Sequence, residues 1–400
     1  MKKSRLNILY LLADRGHDLT RIQGYTVHVQ QILTALRKKN HQPFLLTIND
    51  SSDLPGFHDY ETLPHRYCRG VHKLLPYTGV VNSARILRRI LELNGLRHFD
   101  LIHERYGLYS LAGALAAQIL DIPHILEVNA PLIEEKQLFS RPMTGAPQWI
   151  ARVISRMNYA DADHILAVSG ILKDYLVETG RVPSEKITVL PNASEVIVVE
   201  DSRKHEIRER YGLDSETTVG YVGTFQPWFG IENFITAIPQ IIARERKIKF
   251  LFIGDGAAKT QAESRAVQLG VADRVRFIPA QPREKLEELL AILDIGVAPY
   301  RELPVKFYGS SMKVFDYMAG GCAIVASRIG QVAEVVRHEQ TGLLVPPGDI
   351  PALANSILRL VRQPDLRRRL GAQAQQELQE RYTWSRYADQ LGCIYERFVQ

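Results

Sequence analysis

The chain has 400 residues, 46% of them apolar, with 50 basic against 44 acidic side chains and a formal charge of +6. That length exceeds what one hydrophobic core usually organises and favours two domains, while the apolar share excludes disordered and fibrous classes. The basic excess is small, spread along the chain and not interleaved with aromatic residues, which excludes a dedicated nucleic-acid surface and leaves a mild preference for anionic partners.

Met1 to Arg5 followed by Leu6 to Ala13 imitates a signal peptide. The apolar run is short, contains Asn7 and ends at Asp14-Arg15 without a small-residue cleavage site, so it reads as a first buried strand. Gly24 then precedes a helix predicted from Tyr25 to Lys39, and a strand is expected over Pro43 to Ile48. Between Val80 and Leu93, Val80, Ala84, Leu87 and Leu91 keep helical spacing while Arg85, Arg88 and Arg89 crowd a neighbouring face, with Arg66, Arg69 and Lys73 upstream. This is either the solvated outer face of a packed helix or a peripheral contact with an anionic membrane surface. Further strands are predicted at Asp100 to His103, His124 to Val128, Ile165 to Val168 and Ile187 to Leu190, with a helix over Gly107 to Leu120. The longest apolar stretch, Leu108 to Leu120, falls far short of the roughly 20 residues a bilayer span needs. Asp161-Ala162-Asp163 imitates a metal-binding D-x-D, but it precedes a strand instead of following one, so it reads as a helix-to-strand turn and no metal is expected. Cys68, Cys322 and Cys393 lie far apart without C-x-x-C spacing, which argues for a reducing, cytoplasmic compartment.

A highly charged stretch from Glu200 to Arg210 interrupts the pattern, and strands resume at Thr217 to Val222, Ile248 to Ile253, Val275 to Ile278, Asp294 to Ala298 and Cys322 to Val325. Short apolar runs alternating with helical stretches indicate parallel sheets covered by helices. A helix from Trp384 to Phe398 has no strand after it and must pack on something already built. The expected division is 1–196, 197–380 and a C-terminal helix in 381–400. The fold class is α/β, two doubly wound Rossmann-like domains with ligands expected at the carboxyl ends of their strands, facing a cleft.

The most specific signal runs from Lys306 to Gly321. Gly309, Ser310 and Ser311 form a small-residue loop that opens a helix, where free N–H groups and the helix dipole suit phosphate oxygens. Lys313 adds a cation, and Asp316 shares a helix side with Met312, where a carboxylate accepts hydrogen bonds from a ribose diol. The alternative is a loop capped by Ser310 or Ser311 with Asp316 solvated. Gly254-Asp255-Gly256 lacks the third glycine and downstream acid of a dinucleotide fingerprint.

This stretch, continued by Ala323 to Ser327, Gly330 to Glu334 and Thr341 to Asp349, closely resembles the donor-binding half of glycosyltransferase family 4, a retaining group with the GT-B fold. Ala167-Val168-Ser169, Pro191-Asn192-Ala193, Phe252 to Gly256 and Asp273 to Phe277 extend the resemblance over nearly the whole chain. It implies a nucleotide-diphosphate sugar, of which UDP-sugar is the expected kind, bound to the second domain. It also implies a saccharide, lipid-linked or small-molecule acceptor on the first domain, a final helix that crosses back, and no cofactor or metal.

Departures from the family pattern shape the expected site. Two glutamates eight positions apart become Tyr308 and Asp316, and an arginine and a lysine are missing from Gly223 to Gly230, a stretch that offers Gly223, Thr224 and Trp228 toward the donor. Lys313 is the residue that replaces their charge at the leaving diphosphate. Trp228 and Phe229 either line the sugar pocket or pack the turn. The resemblance also places Gly24 opposite the donor phosphates and Ile278, Pro279 and Gln281 beside the base. Asn129 stands where relatives have a histidine near the reacting sugar; Glu127 and Glu104 are the nearest carboxylates, with Arg105 adjacent in the acceptor region. Lys313, Asn129 and Glu127 are the expected catalytic residues. Two rival readings stay open: a nucleotide-sugar epimerase on the same fold, and a non-catalytic nucleotide-sugar-binding partner of another transferase.

Overall fold

The computed structural model describes residues 5–14, 19, 24–49, 57–64, 77–139, 143–213 and 216–399. The chain divides into two compact units. Unit 1 comprises Met1–Arg21, Tyr25–Pro191 and Trp384–Gln400; unit 2 comprises Ile22–Gly24 and Asn192–Thr383.

Unit 1 runs β1 (Asn7–Leu12), α1 (Gly24–Lys38), β2 (Gln42–Thr47), β3 (Tyr60–Thr62), α2 (Tyr77–Arg97), β4 (Leu101–Arg105), α3 (Ala112–Leu120), β5 (His124–Val128), α4 (Leu132–Phe139), α5 (Ala146–Asp161), β6 (His164–Ala167), α6 (Gly170–Glu178) and β7 (Ile187–Val189). Its strands lie parallel in the order β3-β2-β1-β4-β5-β6-β7. β4, β5 and β6 are buried along their whole length, as parallel strands covered on both faces must be. The register sets Tyr10 beside His103 and Arg105 beside Glu127. Because side chains alternate, these four share one face, while Glu104 and His124 point to the other.

Unit 2 runs α7 (Asp201–Arg210), β8 (Thr217–Val222), α8 (Ile231–Ile242), β9 (Ile248–Ile253), α9 (Lys259–Gln268), β10 (Val275–Ile278), α10 (Arg283–Ala291), β11 (Ile295–Ala298), α11 (Met312–Ala319), β12 (Ala323–Ser327), α12 (Val332–Val335), β13 (Leu343–Val345), α13 (Ile350–Arg362) and α14 (Pro364–Arg381). The parallel order β10-β9-β8-β11-β12-β13 reverses direction between β8 and β11, the point where doubly wound sheets leave a crevice for ligands. The last helix, α15 (Trp384–Phe398), belongs to unit 1. It buries Trp384, Tyr387, Ala388, Leu391, Ile394 and Tyr395, a stripe at helical spacing.

Several expectations shift. β4, expected to end at His103, continues through Glu104 and Arg105, so both lie inside the strand, while β5 has its expected limits and includes Glu127. The helix expected from Gly107 begins only at Ala112, because Tyr109 takes φ 69° and Gly107 packs closely against Asp14. β3 and β13, three-residue strands at the outer edges of the two sheets, were not predicted. The D-x-D is a helix-to-strand turn: Asp161 ends α5, and the Asp163 carboxylate accepts the His124 N–H at 2.7 Å. Among the described residues no helix is long and apolar enough to cross a membrane.

Candidate functional site

The switch point of unit 2 is built from the residues that follow β8 and β11. Gly223 ends β8 at φ 131°, a conformation that side chains rarely adopt, and a Cβ there would lie 3.2 Å from Lys313 Cε. Pro227–Phe229 then forms a single 3-10 turn, closed by Gly230, whose Cα abuts the Pro299 carbonyl after β11. This packing sets Phe229 edge-on to Tyr300, with ring centroids 5.5 Å apart.

Lys313 occupies the resulting box. It stands at the start of α11, buried, with Nζ 4.1 Å from the Phe229 centroid, 5.0 Å from Tyr300 and 5.3 Å from Tyr221. Its hydrogen-bond partner is the Tyr300 hydroxyl, at 3.4 Å. Burial pushes the Lys313 pKa down to about 7 against the upward pull of Asp316. The Tyr300 hydroxyl also meets Ser311 Oγ at 2.6 Å, and burial pushes its pKa up. Aromatic faces stabilise a cation by their quadrupoles, which offsets part of the cost of burying this ammonium group.

Ser310 and Ser311 do not cap α11 with their side chains. Ser310 Oγ instead accepts the Asn192 N–H, its carbonyl accepts the Asn192 amide, and the Ser311 hydroxyl is taken by Tyr300. The first N–H groups of α11 have no acceptor within the helix, which is the geometry of an anion site. Nor is Asp316 solvated. It is buried, and its Oδ1 accepts from Arg283 Nη1 at 2.7 Å and Ser194 Oγ at 2.9 Å. Against the cost of burial, Asp316 and Glu287 raise the Arg283 pKa. Tyr308, Gly309, Met312 and Thr224 are half-buried around the same loop, as is Trp228, which stacks edge-on to Phe229 at 6.0 Å. The Ile278 carbonyl is occupied by the Gly254 N–H. Gly24 is the exposed first residue of α1, and residues 20–23 before it lie outside the described ones.

In unit 1, five donors converge on Glu127. Oε1 meets His28 Nε2 at 2.7 Å, Arg105 Nη1 at 3.2 Å and Asn129 Nδ2 at 2.5 Å, while Oε2 meets Tyr10 Oη and His103 Nε2, each at 3.1 Å. Burial alone would raise this carboxyl, but His28, His103 and Arg105 hold it well below the usual carboxylate range. The other ring nitrogen of His103 bonds Tyr395 Oη of α15 at 2.5 Å, and Trp384 and Tyr387 of the same helix set their rings edge-on to His28. Glu104 is not part of this group. Its carboxylate is sealed on the opposite face against His124 and Ser110, beneath Gly113, where a Cβ would collide with it. Asn129, half-buried just past β5, and Arg105 are the expected residues that reach the ligand edge of the sheet with Glu127 behind them.

The arginines of α2 are engaged within unit 1. Arg89 forms a bidentate pair with Glu61, Arg88 pairs with Glu92, and Arg85 donates to the Pro64 carbonyl and Asn82. Arg66, Arg69 and Lys73 lie outside the described residues.

Tyr300, Arg283, Ser194, His28 and His103 were not singled out by sequence reasoning. The available signal was polar residues within apolar strand runs, such as His103 in Leu101–Arg105.

Two doubly wound parallel sheets, with the last helix returned to the first, are the architecture of a GT-B glycosyltransferase. Residues 22–195 match the profile described as Glycosyltransferase Family 4, and residues 216–363 match that described as Glycosyl transferases group 1. The chain belongs to glycosyltransferase family 4. It is 27% identical over 322 residues to an alpha-D-kanosaminyltransferase of Streptomyces kanamyceticus, spanning 79% of this chain and 80% of that protein. It is also 27% identical over 315 residues to a D-inositol 3-phosphate glycosyltransferase of Stackebrandtia nassauensis, spanning 76% of this chain and 69% of the relative. Among solved structures, Anabaena Alr3699/HepE in complex with UDP and glucose aligns with a TM-score of 0.77 at 18% identity, covering 98% of this chain and 100% of the other.

Proposed function

We propose that this glycosyltransferase moves a hexose from a nucleotide-diphosphate sugar, with UDP as the nucleotide, to an acceptor hydroxyl with retention of configuration and without a metal ion. The observation that carries this reading is Lys313, a buried cation at the start of α11 and at the β8/β11 switch point, beside helix N–H groups suited to phosphate. A leaving diphosphate needs charge stabilisation at that place, and a lysine there supplies it in the absence of a cation in the Gly223–Gly230 turn. In this reading the acceptor attacks the anomeric carbon from the face the diphosphate leaves, the departing phosphate takes its proton, and the protein positions both. Asp316, oriented by Arg283 and Ser194, meets the ribose. The neighbour HepE, crystallised with UDP and glucose, supports the choice of nucleotide.

The test is a panel of UDP-, GDP-, ADP- and dTDP-sugars, screened for binding by thermal shift and for turnover with saccharide and lipid-linked acceptors in excess chelator. A UDP-sugar is expected to turn over, with the anomeric proton of the product reporting retention. An inverted product, or activity that chelator abolishes, overturns the mechanism. Epimerised nucleotide sugar in the absence of acceptor overturns the transferase reading itself.

A further inference from the structure

The two faces of α5 differ in composition. Toward the sheet the helix buries Ala151, Ile154, Ser155, Asn158 and Tyr159, as a covering helix should. Its outer face carries Trp149, Val153 and Met157 at i, i+4 and i+8, all exposed, with Trp149 at 67%. Of the three tryptophans, Trp384 is buried and Trp228 half-buried, so Trp149 alone stands out from the surface. An indole left in water forgoes the burial that an aromatic ring ordinarily gains, and a row of such side chains marks a face that something covers.

The neighbouring helix continues this apolar surface. α3 and α5 belong to successive crossovers, β4 to β5 and β5 to β6, that run in one direction along the sheet, so right-handed connections put both helices on the same face. Both pack over β5. α3 has no charged residue and exposes Leu115 and Ile119 one turn apart.

The charges beside the stripe are of one sign. Arg152 and Arg156 are exposed next to it, and among the described residues neither meets a carboxylate. Asp161, the one acidic residue of α5, lies at its far end. The α2 arginines differ, since Glu92 and Glu61 already pair Arg88 and Arg89. A second copy of this chain fits the face poorly, because a two-fold contact of α5 on α5 sets four unpaired arginines against one another. An anionic lipid surface fits both parts of it. Tryptophan settles at the boundary of headgroups and acyl chains, and arginine stems lie along apolar surface while their guanidinium groups reach phosphates.

We propose that the outer face of α5, formed by Trp149, Arg152, Val153, Arg156 and Met157, docks unit 1 on an anionic phospholipid bilayer, with α3 alongside. The docked end is tied to the ligand edge of the sheet. Tyr109, in the loop after β4, donates its hydroxyl to the Pro147 carbonyl in the first turn of α5. Docking therefore holds the carboxyl ends of the unit 1 strands near the bilayer. The proposal stands whichever sugar and acceptor the protein uses.

The test presents the full chain to vesicles of phosphatidylcholine, alone or with about 30% phosphatidylglycerol. The native protein is expected to co-sediment with the anionic vesicles at least about tenfold more strongly than with the neutral ones, and to release them at about 0.5 M salt. Its tryptophan emission should move to shorter wavelength on binding. Trp149→Ser combined with Met157→Ser should lose that shift and bind at least about tenfold more weakly, because apolar contact area is removed. Arg152→Gln combined with Arg156→Gln should weaken binding to anionic vesicles roughly thirtyfold, the contribution of two basic residues at such a surface. All four side chains are exposed, so unfolding midpoints should match that of the native protein. Arg88→Gln on α2 should bind as the native protein does. Equal binding to both vesicle types, full binding by either α5 variant, or a loss confined to Arg88→Gln overturns the proposal. Self-association in sedimentation equilibrium that the serine variant abolishes also overturns it, and assigns the face to a second copy.

Discussion

The ammonium nitrogen of Lys313 lies 4.1 Å from the centroid of the Phe229 ring and 3.4 Å from the Tyr300 hydroxyl, and no carboxylate of a described residue pairs with it. Its pKa of about 7 makes donor affinity pH-dependent. Binding of a nucleotide sugar, whose diphosphate does not titrate near neutrality, should weaken by up to about tenfold per pH unit above pH 7. Lys313→Arg should flatten that dependence and Lys313→Met should abolish it together with most of the affinity. Calorimetry across pH 6 to 9 measures all three.

The same lysine weakens the unliganded fold. Its folded pKa lies below the ordinary 10.5, so between about 7 and 10.5 the unfolded chain binds more protons and stability rises with pH. Lys313→Met is therefore expected to be more stable than the native protein by roughly 1–3 kcal/mol at pH 7. That difference should shrink toward pH 9. Urea unfolding at both pH values reads it, and a constant difference would contradict the assignment.

Glu127 behaves in the opposite sense. Its folded pKa is depressed, so its stabilisation is present above the ordinary carboxylate value and is lost as pH falls through the folded one. Glu127→Gln should cost about 3 kcal/mol at pH 7, because a charge-linked buried network loses its charge. The penalty should diminish as pH drops below about 4. Denaturant titrations of both proteins from pH 3 to 7 measure the convergence.

Asp316 is tied to Arg283 and Ser194, so its removal is both a binding and a folding lesion. Asp316→Ala should destabilise by about 3 kcal/mol through the unpaired guanidinium. Asp316→Leu combined with Arg283→Met should recover most of that stability without recovering nucleotide affinity. Paired unfolding and binding curves separate the two effects.

Tyr395→Phe removes the hydroxyl that satisfies His103 within the core of unit 1. A buried ring nitrogen left without a partner costs roughly 1–3 kcal/mol. The expected readout is a lowered unfolding midpoint with an unchanged denaturant slope.

The sheets were legible in the sequence because parallel strands buried on both faces must be largely apolar along their length, as Ile295–Ala298 is and as Ile248–Ile253 is apart from Lys249. The helix Trp384–Phe398 emerged with its observed limits, since its apolar stripe repeats at helical spacing. The polar clusters were less visible. Tyr10, His28, His103, Glu127 and Tyr395 meet only through sheet register and the return of α15, and no local pattern connects positions so distant in the chain. Asn192 and Ser194 fell at the end of the expected first domain, yet they belong to unit 2 and hold Ser310 and Asp316. The placement of Glu104 turned on strand length: once β4 runs to Arg105, alternation sends that carboxylate to the opposite face.

Because α15 is synthesised only after all of Asn192–Thr383, the ribosome delivers unit 1 in two instalments separated by a complete domain. During that interval His103 has no hydroxyl to meet, and the surface that will receive Trp384 and Leu391 stays uncovered. Unit 2, continuous apart from three residues, has no such wait. Unit 1 therefore cannot complete its core until the last helix is made, and fragments cut before Trp384 should expose that apolar surface and bind chaperones.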